Sequence, residues 1–174
     1  NRGLRGVRLG PGSPRTRVGW VDSRASANGS GQNLWPAIER HAVTRLTNDP
    51  ADFPAEALKG FIAANKRYVK PVYGGVARST FTPAGKVAVV YGGGSGHYPA
   101  FAGWVGHGFA DGAVCGNIFS SPSAAQAYSV LKAVHRGAGV LMGFGNYAGD
   151  VLHFGQAIER LRAEGIEADT LVVT

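Results

Sequence analysis

The spacing of apolar positions changes along this 174-residue chain, and it predicts where strands lie. Residues 86–91 (KVAVVY) and 139–145 (GVLMGFG) are short, continuous apolar runs, which are typical of strands buried on both faces of a sheet. A weaker run at 110–115 and a further run at 168–174 predict two more strands. Residues 71–81 carry β-branched and aromatic side chains around a glycine pair, so they predict an edge strand with a bulge or turn.

Helices are predicted where apolar residues recur every three or four positions. The segments with this spacing are 34–49, 54–70, 121–136 and 149–165. Pro54 suits a first helical turn, Ser121 or Ser123 can cap the third segment, and Gly137 can end it. The predicted buried faces are Ala55, Leu58, Phe61, Ile62 and Val69 in the second segment, and Val151, Phe154, Ile158 and Leu161 in the fourth.

Strands and helices alternate from residue 86 onward and are joined by short glycine-rich connections. This order predicts an α/β fold, a doubly wound and mostly parallel sheet with helices on both faces. The chain stops inside the strand predicted at 168–174, so we expect the sheet to be truncated at its carboxyl end.

Charge divides the chain into two parts. Most of the net charge of +7 comes from residues 1–35, where six arginines face one aspartate. We therefore expect a basic Gly/Ser/Arg-rich arm over 1–35, either disordered or extraneous, and an α/β domain over 36–174 that has no nucleic-acid partner. No apolar run is long enough to cross a membrane, and no signal peptide is recognisable. With Cys115 as the single cysteine, these features predict a cytoplasmic protein.

Three loops that follow predicted strands share small and polar residues: GGGSGHYP (92–99), CGNIFSSPS (115–123) and GFGNYAGD (143–150). In an open parallel sheet such loops meet at the carboxyl edge, where ligands bind. We expect a pocket of exposed backbone N–H groups for a small, oxygen-rich ligand. Nucleotide motifs fit poorly because no Walker A lysine follows the glycines and a dinucleotide fingerprint lacks its third glycine. Asp111, the one candidate for an acidic ribose partner, lies at a strand start.

These three motifs, in this order, resemble the substrate-binding (K) subunit of dihydroxyacetone kinases over residues 84–174. The resemblance implies a ketose kinase whose K domain binds dihydroxyacetone or a four-carbon ketose such as erythrulose. It also implies that ATP with Mg²⁺, or a phosphoprotein donor, is held by a separate L-type domain or subunit, and that this chain itself holds no cofactor or metal. We expect a homodimer.

The resemblance also implies the roles of particular residues. The substrate-binding residues would be Gly94, Ser95, Gly96, His97 and Asp150. His97 and Asp150 would be catalytic and assist proton transfer, while a histidine that binds the carbonyl covalently would lie beyond Thr174. A carboxylate beside an imidazole can orient a hydroxyl and relieve it of its proton, as phosphoryl transfer requires. Two plainer alternatives remain: His97 could cap the segment that follows it, and Asp150 could be a helix N-cap.

Three positions depart from the family pattern: Tyr98, Asn117 and Gly145 stand where the family has Glu, Asp and Lys. The family's lysine contacts substrate, so Gly145 would leave room for a longer ketose or would mark a loss of function. One alternative function is therefore a catalytically inactive, ketose-sensing regulatory subunit, and another is a nucleotide-binding α/β domain. We expect residues 1–174 alone to lack kinase activity, because they have no phosphate-gripping lysine motif.

Overall fold

A computed structural model describes residues 48–174 of the chain. The arm predicted over 1–35, its boundary with the domain at residue 36 and nearly all of the helix predicted over 34–49 lie outside the described residues. Residues 51–174 form a single folding unit.

Three helices and six strands make up this unit. In chain order they are α1 (Phe53–Ala64), β1 (Val69–Val72), β2 (Gly75–Arg78), β3 (Ala88–Gly93), β4 (Gly112–Cys115), α2 (Ala124–Val134), β5 (Val140–Gly145), α3 (Ala148–Ala163) and β6 (Ala168–Val173). Two 3₁₀ turns, Ser95–His97 and Ala102–Trp104, lie between β3 and β4. The strand order is β1-β2-β4-β3-β5-β6. The strands β4, β3, β5 and β6 run parallel to one another, and β2 is antiparallel to both of its neighbours, β1 and β4. The predicted mostly parallel α/β fold is confirmed.

Helices cover both faces of the sheet, and alternate residues of each strand enter different cores. Val90 and Val114 point into a core shared with α2 and α3. Tyr91 and Ala113, their neighbours along the strands, join a second core with α1 and the 3₁₀ turn Ala102–Trp104. The continuous apolar run of β3 follows from this two-sided burial.

The helix predicted over 54–70 is too long, because α1 ends at Ala64. Asn65 ends it: its backbone N–H bonds the last carbonyls of the helix, and its side-chain Nδ2 donates to the Phe61 carbonyl at 2.8 Å. Val69, predicted on the helical face, is buried in β1 instead, and Ala55 is exposed. Asn65 thus separates two apolar segments whose spacing happens to look continuous.

The segment 71–81, predicted as an edge strand with a bulge or turn, covers the end of β1, the turn and all of β2 in a β-hairpin. β1 pairs with β2, with Val72 opposite Gly75, and the turn uses Tyr73 and Gly74. Gly74 has φ of +82°, and a Cβ there would overlap the Gln126 side chain, so both conformation and space require glycine. β1 lies at the edge of the sheet and β2 lies inside it, so the prediction of an edge strand over 71–81 holds for Pro71 and Val72 and is wrong for Gly75–Arg78.

The last two helices begin and end close to their predicted limits. Ser123 caps α2 in a capping box, accepting from the Gln126 N–H while the Gln126 side chain accepts from the Ser123 N–H. The buried stripe of α3 consists of Asp150, Phe154, Ala157, Ile158 and Leu161. Val151, predicted to be in this stripe, is 43% exposed. The inward position of the first turn belongs to Asp150, which lies four residues before Phe154 and therefore on the same helical face.

Candidate functional site

Two of the predicted loops are joined by backbone hydrogen bonds at the carboxyl edge of the sheet. We call residues 94–100, after β3, the glycine loop, and residues 116–123 the β4–α2 loop. Ser95 N–H donates to the Asn117 carbonyl at 3.0 Å, and Gly96 N–H donates to the Ile118 carbonyl at 2.6 Å. The amides of Ser95 and Gly96 are therefore already bonded, which corrects the expectation that the glycine loop exposes a row of free N–H groups.

The glycines bring this loop close to the protein's own chain. A Cβ at Gly92, inside β3, would lie 2.8–3.0 Å from the Met142, Val114 and Phe154 side chains. A Cβ at Gly94 or Gly96 would lie 2.6 Å from the Ile118 carbonyl oxygen. Sequence reasoning missed this role, because a glycine run looks the same whether the backbone approaches a ligand or another loop.

His97 ends the first 3₁₀ turn and is exposed. Its ring lies edge-on to Phe119, with 5.4 Å between the ring centroids, and 6.5 Å from the ring of Phe101. Its ring nitrogens form no hydrogen bond within residues 48–174, and the following 3₁₀ turn has no side-chain cap. The imidazole is thus oriented by aromatic contacts and does not cap the next segment.

Asp150 lies in the first turn of α3 and is only 5% exposed. Its Oδ1 is buried and has no hydrogen-bond partner in the described part of the chain. The N-cap position belongs to Tyr147, so the alternative that Asp150 is the N-cap is wrong. An unpaired buried oxygen costs about 1–3 kcal/mol, so its position requires an explanation such as a bound polar ligand.

The amino terminus of α3 completes this edge of the site. The first backbone hydrogen bond of the helix runs from the Val151 N–H to the Tyr147 carbonyl at 2.9 Å. The N–H groups that precede it in the first turn have no carbonyl partner within the helix. A Cβ at Gly149 would lie 2.6 Å from Ser121 Oγ, so the helix begins against the β4–α2 loop. His97, in the 3₁₀ turn after β3, and Asp150, in the first turn of α3, therefore both follow strands at the same edge of the sheet, although no hydrogen bond among the described residues joins them.

Gly145 ends β5, directly before this helix. A Cβ at Gly145 would lie 3.1–3.2 Å from two carbons of the Tyr147 ring. The volume expected to be open at this glycine is therefore bordered by the phenol ring, which is itself 65% exposed.

Asp111 lies at the opposite, amino-terminal edge of the sheet. Its carboxylate accepts from Arg78 Nη1 at 2.9 Å, from Lys86 Nζ at 2.5 Å and from the Val89 N–H at 2.9 Å. Burial opposes ionisation, but these hydrogen bonds outweigh it and hold the pKa of Asp111 below its ordinary value. Because the carboxylate is already paired and far from the loops, it cannot serve as the ribose partner of a nucleotide at the carboxyl edge.

Other candidate chemistry is limited in residues 48–174. Burial raises the pKa of the Cys115 thiol to about 12, so the thiol stays protonated and unreactive at neutral pH. No helix within these residues is both long enough and apolar enough to cross a membrane. They also contain no cluster of three metal-ligating side chains.

Comparison with known sequences gives a family match over most of the chain. Residues 59–174 match the Dak1 domain. Two kinases of Mycolicibacterium smegmatis, a D-erythrulose kinase and an L-erythrulose 1-kinase, are 62% and 60% identical to the chain over 132 residues. These residues are 76% of the chain and 23% of each kinase. The chain thus spans about a quarter of the length of these relatives.

Solved structures share this fold. The dihydroxyacetone kinase of C. freundii superposes with a TM-score of 0.69 at 34% identity, over 74% of this chain and 25% of that one. The same kinase has been solved with AMP-PNP and Mg²⁺. A dihydroxyacetone kinase operon co-activator superposes with a TM-score of 0.64 at 32% identity, over 68% of this chain and 37% of that one.

Proposed function

Because the chain belongs to the Dak1 domain family, we propose that it binds a short-chain ketose at the carboxyl edge of its sheet. The bound ketose presents a terminal hydroxyl for phosphorylation. The donor, ATP with Mg²⁺ or a phosphoprotein, is held by a separate L-type domain or subunit. The chain's own residues bind the sugar, orient its hydroxyl and move its proton.

The unpaired Oδ1 of Asp150 carries this proposal. A ketose hydroxyl donating to this oxygen would satisfy it, and the same carboxylate could then accept the hydroxyl proton during transfer. The His97 ring, with no hydrogen bond among the described residues, is the second polar group of the site. Ser95 contributes its hydroxyl, and Gly94 and Gly96 contribute shape and carbonyl oxygens, since the Ser95 and Gly96 amides are bonded to the β4–α2 loop.

A four-carbon ketose is the substrate that we favour. Kinases named for erythrulose are 60–62% identical to this chain, whereas the dihydroxyacetone kinase of known structure is 34% identical. Gly145, in place of a lysine, removes one cation and its alkyl stem from the strand end. The exposed Tyr147 ring beside it leaves space on its solvent side for an extra CHOH group.

Calorimetric titration of the full-length protein tests this function. Dihydroxyacetone, D-erythrulose and L-erythrulose are the ligands, and erythritol, which lacks the carbonyl, is the control. Binding of an erythrulose in the absence of nucleotide supports the proposal. Failure of all three ketoses to bind would overturn it.

Asp150→Asn tests the role of the carboxylate, because the amide keeps its size but cannot accept the proton. In the full-length protein, turnover should fall by about 10²-fold or more while ketose binding changes little. Asp169→Asn, at an exposed position in β6, is the matched control and should behave as wild type. Retained turnover with reduced thermal stability would assign Asp150 a purely structural role.

A catalytically inactive, ketose-sensing subunit is the second candidate function. The similarity to an operon co-activator supports it, since that protein shares this fold at nearly the same identity as the kinase. Ketose binding without any phosphorylation, tested with ATP and with a phosphoprotein donor, would favour the sensor.

A further inference from the structure

His153, one turn after Asp150 on α3, makes a contact that the proposed chemistry does not use. Its Nδ1 lies 2.8 Å from the carbonyl oxygen of Pro122, which is a fully buried residue of the β4–α2 loop. A carbonyl oxygen can only accept, so Nδ1 carries the proton and donates it to Pro122. This hydrogen bond fastens the loop to the helix.

The helical side of this contact is anchored in the core. Phe154, next to His153, is fully buried, and the stripe that follows it packs into the core between α2, α3 and the sheet. Residues three apart on a helix lie on neighbouring positions of its surface, so His153 and Asp150 project from the same side of α3. The turn that carries the buried carboxylate therefore also carries the donor to the loop.

The loop side of the contact leads to the glycine loop. Pro122 is four residues from Ile118, whose carbonyl accepts the Gly96 N–H, and five from Asn117, whose carbonyl accepts the Ser95 N–H. At its other end the loop is held by the Gly116 N–H, which donates to the Gly93 carbonyl at 2.9 Å. Movement of the loop away from α3 would displace both acceptors together and shift His97 relative to Asp150.

We propose that His153 is a positioning residue of the ketose site. By holding Pro122 against the first turns of α3, it sets the distance between the carboxylate of Asp150 and the imidazole of His97. The inference rests on the proposed function for its effect on ketose binding. The fastening of the loops follows from the contacts alone and can be measured without ketose.

The test compares His153→Asn with His153→Gln in the full-length protein. The amide nitrogen of asparagine can occupy the place of Nδ1, whereas glutamine carries its amide one carbon further from the backbone, closer to the place of Nε2. Both replacements are polar and of moderate size, so a difference between them reports the donor position. His135→Leu is the control, because His135 accepts from the Gly137 N–H just beyond α2, away from the site.

Amide hydrogen exchange and ketose titration are the two measurements. Exchange of the Ser95 and Gly96 amides should rise about fivefold to tenfold in His153→Gln, as expected for the loss of one hydrogen bond, and stay near wild type in His153→Asn. The dissociation constant for the ketose should rise by a similar factor in the glutamine variant only. Exchange of the α3 amides should be unchanged in both His153 variants. In the His135→Leu control, exchange of the Ser95 and Gly96 amides should be unchanged.

Two results would overturn the inference. One is equal exchange of the Ser95 and Gly96 amides in the asparagine and glutamine variants. The other is a uniform rise in exchange across α3 and the sheet, which would show that His153 affects only global stability. If exchange changes as expected but wild-type protein binds no ketose, the proposed function fails while the fastening of the loops stands.

Discussion

Replacing Gly96 by alanine perturbs the glycine loop through one methyl group. Gly96 is not among the glycines with a positive φ, so alanine can adopt its backbone conformation. The obstacle is contact, because the new Cβ would lie 2.6 Å from the Ile118 carbonyl oxygen, 2.7 Å from Ile118 Cγ2 and 2.8 Å from the Phe119 ring. Ordinary contacts of this kind begin near 3.4 Å.

These three contacts cannot all be relieved cheaply. Phe119 is 78% exposed, and its ring can swing away. The Ile118 carbonyl is backbone, and it also accepts the Gly96 N–H at 2.6 Å, so separating the two residues breaks the bond that joins the loops. Overpacking of this kind costs about 1–3 kcal/mol. If the site must restore the loop to bind ketose, this cost weakens binding by roughly 5-fold to 150-fold.

Calorimetric titration with a ketose measures this loss, and thermal melting checks that the fold survives. Gly106→Ala is the matched control, because it lies in the same β3–β4 connection, lacks a positive φ and has no atom within 4 Å of its Cβ position. The control should bind ketose as wild type does. Wild-type affinity in Gly96→Ala would refute the reasoning, since it would show that the joined loops do not shape the ligand site.

Two further predictions concern the opposite sheet edge and the end of β5. Asp111→Asn should destabilise the fold by about 3–5 kcal/mol at pH 7 in urea unfolding, because it leaves the buried Arg78 guanidinium without its carboxylate partner. Since the folded pKa of Asp111 is lowered, wild-type stability should fall as pH drops below about 4, and the gap to the mutant should narrow; a constant gap would contradict this assignment. Gly145→Lys should displace the Tyr147 ring and shift the kcat/KM ratio towards dihydroxyacetone and away from erythrulose. An unchanged ratio would show that this position does not set substrate length.

The sequence predicts strands better than it predicts where α1 ends. Apolar spacing alone runs smoothly from Ile62 to Val69, seven residues apart, although a helix and a strand meet between them. Asn65 and the restriction that Pro71 places on Lys70 are the local signals of this break. They are weaker than the periodicity, and only the pairing of β1 with β2 decides the outcome.

The sequence predicts which loops meet at the carboxyl edge of the sheet, but it does not predict which partners their backbone N–H groups bond to. Strand–helix order suffices to bring 94–100, 116–123 and 146–150 to one edge of the sheet. It does not show that the Ser95 and Gly96 amides are bonded to a neighbouring loop, because that bond depends on how two connections of irregular structure pack. The inward position of Asp150 was missed for a different reason: the hydrophobic pattern of α3 predicts an apolar residue, and not a carboxylate, in the buried stripe.

The two ends of β4 separate the contacts that stabilise the fold from the loop that can change ligand preference. Asp111, at one end, pairs with the buried Arg78 and with Lys86, and Gly116, at the other, begins the loop that supports the proposed ketose site. Asp111 and Gly116 are five residues apart, and five residues of extended chain span about 16 Å, which exceeds the 7–10 Å within which substitutions usually influence one another. Changes that retune ligand preference at one end can therefore be offset by stabilising changes at the other, so new specificities can evolve without a matching loss of folded protein.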